Sequence, residues 1–448
     1  MARLTRSRTA RILKALGRIS ISRVPQKDVV IYDAFSRRHL YPLLDMTRSA
    51  VFDLDFPRVN LWVLLGSLRY GRPSARSYLF SFLRKTQPKV VITTSDNSID
   101  FYAIKTQFPH ICVISIQNGR RNTFGPRPHS SFQSLLKMEL NPPSADFYFT
   151  FGSTEQLQFE HLIHTKFVRH GNLKNNYLAH ISSRRRNDRP VLSYISSFPN
   201  LSSGSPSSID SDVATHFFGD AAISYRSYFS PEGDIARFLM NYCKHHGIDF
   251  RVIGKRTSAQ PEERAYFQEA TGNRDIDVVP CDPEGASYLS LIDSDFVVSI
   301  DSTLAYEMFG RGKRTAFLTM RAAAIGIPDL HCPDFGFPEV REDSGPFWTN
   351  RNDEAEYLRV LDFVTTSHDD DWKYATQHIL EKVMNLDPDN AQLLKVLEGV
   401  GVSHGGGTEE VSCARGSSPA RSPSRSPSRE IRCSPARSAP PHRRAYHQ

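Results

Sequence analysis

Nowhere in the 448 residues does an apolar run approach the roughly 18 to 20 that a membrane-spanning helix needs. The sequence therefore predicts no bilayer crossing. Cysteine is scarce and dispersed: Cys112, Cys243, Cys281, Cys332, Cys413 and Cys433 form no CxxC pair, and there is no histidine cluster at metal-ligand spacing. That pattern speaks against a disulfide framework and a zinc site, and suits a reducing compartment. Neither a Walker loop nor a GxGxxG fingerprint occurs. The leading segment has the cationic part of a secretion signal, but Lys14 and Arg18 interrupt "ILKALGRISI" and no small-residue cleavage site follows.

Charge is abundant but unevenly placed. The formal balance of +8 belongs to the two ends, because residues 1–27 hold eight bases and no acid, and residues 404–448 hold eight arginines against three acids. The intervening 28–403 carries 40 bases and 45 acids, so the core has no electrostatic footprint for nucleic acid. Leu4, Ile12, Leu13 and Leu16 give residues 1–24 one apolar side among the bases, the pattern of a helix lying on an anionic membrane surface. The same composition equally suits a frayed, solvated tail, so the reading is a cytoplasmic protein for which peripheral contact at the inner face of the membrane is the alternative to a free N-terminal segment. Beyond residue 403 the chain is an Arg/Ser/Pro-rich stretch without apolar periodicity, and reads as a disordered tail.

From residue 28 onward, β-branched runs alternate with helical stripes. "DVVIYD" (28–33), "KVVITT" (89–94), "HICVISIQNG" (110–119), "ADFYFTFG" (145–152) and "KFVRHG" (166–171) read as strands of one block. After the basic hinge 182–190, "PVLSYISSF" (190–198), "DFRVIGK" (249–255), "IDVVP" (276–280), "DFVVSI" (295–300) and "RTAFL" (314–318) form a second. Continuous apolar strands separated by helices imply parallel sheets covered on both faces. The expected fold is α/β and GT-B-like, two Rossmann-like domains facing a cleft. Its boundaries are a basic extension 1–27, a first domain 28–185, a second 186–345, closing helices 346–402 and the tail from 403. A serine-rich loop spans 199–212. The next helix should start with Ser230 as N-cap and Pro231 in the first turn, and stop at Gly247.

The densest chemistry lies in "DSDFVVSIDSTLAYEMFGRGKRTAFL" (293–318). The strand ends at Ile300, so Asp301, Ser302 and Thr303 fall where the following helix begins. A helix start offers unpaired N–H groups and a positive dipole end, and small hydroxyl residues let an anion approach. Ser and Thr are equally the commonest N-caps. Glu307, one turn after Thr303, could accept from ribose or sugar hydroxyls. "VIGKR" (252–256) ends another strand with Gly254 and Lys255, as a loop beside a diphosphate would.

"VISIQNGRRN" (113–122) together with "VVSIDSTLAYEMFGRGKRTAFL" (297–318) resembles bacterial surface carbohydrate biosynthesis proteins of the O-antigen and capsule transferase type. These are relatives of GT-B glycosyltransferases, UDP-N-acetylglucosamine 2-epimerases and CDP-glycerol polyol-phosphate transferases. The resemblance implies a nucleotide-activated donor on the second domain at Ser302, Thr303 and Glu307, a glycan acceptor, and no separate cofactor. Polyol-phosphate transferases carry a His-Gly pair where this chain has Asn118-Gly119, and an amide cannot take the proton. Two other residues are candidates for the base. Asp96 follows a strand in "TTSDNSID" (93–100), where it could instead cap the next helix, and His170 ends another strand. Arg120 and Arg121, beside the Asn-Gly turn, could neutralise phosphate or an acidic sugar, and Arg321 has a similar claim on the donor. The reading is a transferase moving a sugar or polyol phosphate to a surface glycan. The alternatives are a nucleotide-sugar epimerase on the same fold and a non-catalytic protein docked through its basic ends.

Overall fold

The computed structural model describes residues 19–53, 59–71, 74–182, 189–198, 211–255, 260–280, 286–327 and 329–402. The tail from 403 and most of the 1–24 segment, the 182–190 hinge and the 199–212 loop lie outside the described residues.

Two parallel sheets organise the chain. The first contains β1 (Val29–Tyr32), β2 (Ser49–Phe52), β3 (Val90–Thr93), β4 (Cys112–Ile116), β5 (Ser144–Thr150) and β6 (His164–Arg169), in the order β2-β1-β3-β4-β5-β6 with all pairs parallel. Its inner strands are apolar on both faces because successive side chains point to opposite sides. Val30, Tyr32, Val91 and Val113 face one core, whereas Val29, Ile31, Val90, Ile92 and Ile114 face another.

The second sheet contains β7 (Val191–Ile195), β8 (Asp249–Ile253), β9 (Asp277–Val279), β10 (Phe296–Ser299), β11 (Arg314–Leu318), β12 (Ser344–Gly345) and β13 (Trp348–Thr349), in the order β9-β8-β7-β10-β11-β13-β12. Only the β12/β13 pair is antiparallel. Strand order reverses between β1 and β3 in one sheet and between β7 and β10 in the other. Such switch points open a crevice at the carboxyl ends of the strands. The α/β, GT-B-like fold expected from the sequence is the fold observed.

Several elements depart from expectation. The edge strand β2 and a hairpin, Ala214–Phe218 with Ala221–Ser224, were not anticipated. Ser230 does not cap: it lies in helical backbone and makes no side-chain cap bond. The helical path starts one element earlier, at Tyr225–Phe229, where the Ser224 hydroxyl accepts from the Ser227 amide. Gly247 does end Pro231–His246, in the left-handed region at φ 67°. The closing segment divides its allegiance. Glu354–Thr366 and Asp369–Val383 cover the second core through Tyr357, Val360, Leu361 and Trp372. A further helix, Ala391–Gly399, returns to the first lobe and buries Leu393 and Leu397 beside Val29 and Ile31. Gly171, at φ 79°, sits so close to the Asn385 carbonyl on this returning path that any Cβ would collide with backbone.

Candidate functional site

The carboxyl ends of β4 and β10 meet at the seam between the lobes. The loop after β4 carries Asn118, Gly119, Arg120 and Arg121, and β10 leads into Thr303–Gly310, whose N-cap position is Ser302. Ser302 makes no capping bond, so the first turn is not sealed by its own hydroxyl. Its backbone amide donates to the Ser299 hydroxyl at 2.9 Å. The Thr303 hydroxyl accepts from the Arg120 amide at 3.2 Å, which joins the two expected half-sites directly. Asn118 is exposed at this seam.

Arg120 crosses from one lobe to the other. Its guanidinium lies 4.5 Å from the Tyr306 ring centroid and donates to that residue's hydroxyl. Glu155, buried in the first lobe, stands 3.8 Å away as counter-charge. Burial raises the pKa of Glu155 and Arg120 opposes the rise. Arg121 instead turns inward to Asp96. Its Nε donates to Oδ2 at 2.9 Å and Nη2 binds Oδ1, while the Tyr148 hydroxyl (2.8 Å) and the Asn118 amide (3.2 Å) complete the set. Asp96 is fully buried and caps no helix; the following helix, Ile99–Gln107, has Ser98 at its N-cap. With both oxygens engaged, the carboxylate braces the Asn118 turn from beneath.

His170 is also fully buried, edge-on to Phe149, with Nε2 3.5 Å from Asp387. Burial depresses its pKa to about 4, so the imidazole is neutral at physiological pH. It lies where the returning C-terminal segment joins the first lobe, and Asn176 ties its carbonyl to the Asn390 side chain.

In the second lobe, Arg321 holds the loop after β10. The side chain is completely buried, donating through Nε to Asp301 at 2.6 Å and through Nη2 to Glu232 at 3.1 Å, and it stacks on the Tyr228 ring at 4.1 Å. Burial alone would lower the guanidinium pKa, but the two carboxylates and Tyr228 more than offset it. Burial likewise works to raise the Asp301 pKa, and Arg321 together with Lys255 brings the net value below the usual carboxylate range. Glu232 also accepts from the Tyr194 hydroxyl and the Ser197 amide. Glu263 fixes the β8 loop: it accepts from the Lys255 amide at 2.9 Å and the Ser196 hydroxyl at 2.6 Å. Gly254 fits tightly here, since a Cβ would stand 3.0 Å from Glu263 and from the Val279 carbonyl. Sequence reading missed Ser197, Glu232 and Glu263, although Glu232 in a first helical turn and Glu263 eight residues after Lys255 were visible as acids near helix starts.

Glu307 is buried and accepts from the Tyr288 hydroxyl. Desolvation raises its pKa to about 7, with the Tyr288 bond, Lys174 and Arg311 acting against the rise. An acid whose pKa is higher folded than unfolded adds stability below its unfolded value, and loses that contribution as pH climbs through about 7. Glu307→Gln keeps an acceptor for Tyr288 but cannot ionise. The variant is therefore expected to gain on the parent in melting temperature between pH 5 and 8 by a margin worth ~2 kcal/mol. Paired thermal melts across that range check this, and a constant difference would contradict it.

Among the described residues, no three His, Cys, Asp or Glu side chains gather to hold a metal ion, and no helix is long and apolar enough to cross a membrane. In comparisons with known proteins, the family described as "putative O-antigen biosynthesis protein" matches residues 114–400. No curated protein matches in sequence. Solved structures with a similar course include a Staphylococcus aureus MnaA–UDP complex, at 10% identity and TM-score 0.46, covering 83% of this chain and 96% of that one. The wall teichoic acid polymerase TagF is 10% identical with TM-score 0.41, covering 83% and 88%. The Neisseria meningitidis UDP-GlcNAc 2-epimerase bound to UDP-GlcNAc is 12% identical with TM-score 0.40, covering 84% and 99%.

Proposed function

The chain belongs to this O-antigen biosynthesis family, and from that premise we propose that it transfers a sugar or polyol phosphate from a nucleotide-activated donor to a surface glycan acceptor. One observation carries the reading. At the switch point of the second sheet, the first turn of Thr303–Gly310 has no side-chain cap, and it begins at the seam, where the Thr303 hydroxyl meets the Arg120 amide of the Asn118–Arg121 turn. A pyrophosphate seated there would meet the dipole end that favours its charge, and Lys255 would share the charge developing on the leaving group. Asp301 and Arg321 hold the loop that bears the seat and do not themselves bind the donor. Asn118, Gly119 and Arg120 present the acceptor side, and Asn118 orients by hydrogen bonding because it cannot accept the proton. No separate cofactor is required for this chemistry.

The test is a thermal-shift series with nucleoside diphosphates and their sugars. A ligand present at a hundredfold its Kd is expected to stabilise the fold by about 2.7 kcal/mol. Ser302→Asp supplies a good N-cap and so preserves the helix, yet puts a carboxylate into the seat. It should abolish the shift while leaving the unliganded melt unchanged. A shift that persists in this variant would end the reading. If the bound donor is consumed without acceptor and a free epimerised sugar appears, the activity is a 2-epimerase on the same seat.

A further inference from the structure

The first lobe carries an apolar surface that the donor site does not use. Leu61–Ser67 turns Val63 and Ser67 into the core but leaves Trp62 and Leu65 outside, and the short 3-10 turn Leu68–Tyr70 continues the row with Leu68. These three side chains are 53%, 50% and 57% exposed, so the row is an open face and not the rim of a core. Beside it, Ile19–Ser20 pairs in parallel with Val59–Asn60, and the Trp62 indole donates to the Ile21 carbonyl at 3.0 Å. Ile19 and Ile21, 40% and 70% exposed, extend the same patch.

The segments that build this face are rich in bases, of which Arg76 is paired with Asp100 and Glu139, and Lys89 with Asp28. From residue 56 to 95 the chain has seven bases and no acid, and residues 1–27 have eight bases and no acid. The pairing of Ile19–Ser20 with Val59–Asn60 sets residues 19–23 beside the start of the helix Leu61–Ser67, although the two are far apart in sequence. Arg23, Arg69 and Arg84 are exposed, and the Lys85 stem, from the neighbouring helix Ala75–Thr86, lies alongside Gly66. Elsewhere, residues 28–403 hold more acids than bases, so the positive face is a local feature of this lobe.

We propose that this face docks onto an anionic lipid bilayer surface. An exposed apolar row bearing an indole, on segments that also expose Arg23, Arg69 and Arg84, matches what an interface of acyl chains and negative headgroups takes up. A protein partner of the same shape would need a complementary acidic rim, and a second copy of this chain would bring two positive faces together. The surface lies on the acceptor lobe, so docking would keep that lobe at the membrane. The proposal does not depend on which donor is used.

The test uses the full chain with vesicles of phosphatidylcholine, with and without phosphatidylglycerol. Trp348 and Trp372 are buried, so Trp62 dominates the fluorescence response to solvent and lipid. Vesicles containing phosphatidylglycerol should shift its emission to the blue and brominated lipid should quench it. Partition should fall roughly tenfold or more in the Trp62→Ser, Leu65→Ser, Leu68→Ser triple variant, and comparably in Arg69→Glu, Arg84→Glu. Circular dichroism on the triple variant confirms that the fold is retained. Full binding by that variant would overturn the proposal. So would loss of all binding in a Leu4→Ser, Ile12→Ser, Leu13→Ser, Leu16→Ser variant whose Trp62 emission without vesicles matches that of the parent. Light scattering that shows a dimer dissociated by the triple variant, with no vesicle binding, would assign the face to a second copy.

Discussion

Arg321→Met is expected to remove about 3–5 kcal/mol of folding stability and, with it, donor binding. The substitution keeps a long apolar stem of similar reach, so lost packing is not the source. Deleting the guanidinium leaves Asp301 and Glu232 facing one another inside the second lobe, and both carboxylates lose their shared partner. Lysine will not substitute, because one ammonium cannot reproduce separate Nε and Nη2 bonds to Asp301 and Glu232 while lying flat on the Tyr228 ring. The network interpretation makes a sharper demand. Adding Glu232→Gln to Arg321→Met should recover ~1–2 kcal/mol, because one uncompensated buried charge is gone, whereas Glu232→Gln alone should destabilise. Urea denaturation of the four proteins in this cycle measures the coupling. Simple additivity would mean that Arg321 does not act through its carboxylates.

The functional consequence follows from where Asp301 sits. It is the residue between β10 and the uncapped helix start, so releasing it frees the loop that aims Ser302 and Thr303. Under conditions where Arg321→Met remains folded, its nucleotide-induced thermal shift should still be smaller than that of the parent. A full-sized shift would show that the loop holds its shape without the clamp.

Why some of this was legible in the sequence and some was not has a physical basis. The interior strands β1, β3, β4, β7 and β10 are short β-branched runs that must be buried on both faces, and only a covered parallel sheet accepts them. The edge strand β2 buries only its two end residues, and its "SAVF" has no periodicity to announce it. The return of the closing helix Ala391–Gly399 to the first lobe was not legible because its apolar face suits any core, and nothing local says that it packs against the lobe at the other end of the chain. The helix start at Ser302 and Thr303 was legible because a strand end followed by hydroxyl residues is a local signal. The buried ion network was not. Glu232 and Arg321 are 89 residues apart, and only the fold makes them neighbours. Caps failed for a related reason. Ser230 is preceded by residues that continue the helix backwards. Asp96 is drawn away from its helix by an arginine 25 positions on, since a buried guanidinium is the stronger partner for a carboxylate.

Asp96 gives the second large effect, and it separates two roles that the sequence left open. Asp96→Ala should cost about 3–5 kcal/mol, since it strands the Arg121 guanidinium in the interior together with the Tyr148 hydroxyl and the Asn118 amide. Asp96→Asn is the more telling change. Asparagine has the same shape but offers one oxygen to a site built from donors, so its amide must point N–H groups at Arg121 or at Tyr148. A bracing role predicts that Asp96→Asn loses ~2–4 kcal/mol of stability, and that turnover falls only as far as the Asn118 turn is loosened. A base predicts the reverse: a melt close to that of the parent and a turnover reduced by roughly 10²–10⁴-fold. Geometry favours the brace, because all four donors converge on a carboxylate with no surface left exposed to the seam. Measuring both quantities on one preparation decides the matter, and a stable, inactive Asp96→Asn protein would restore the carboxylate to the chemistry.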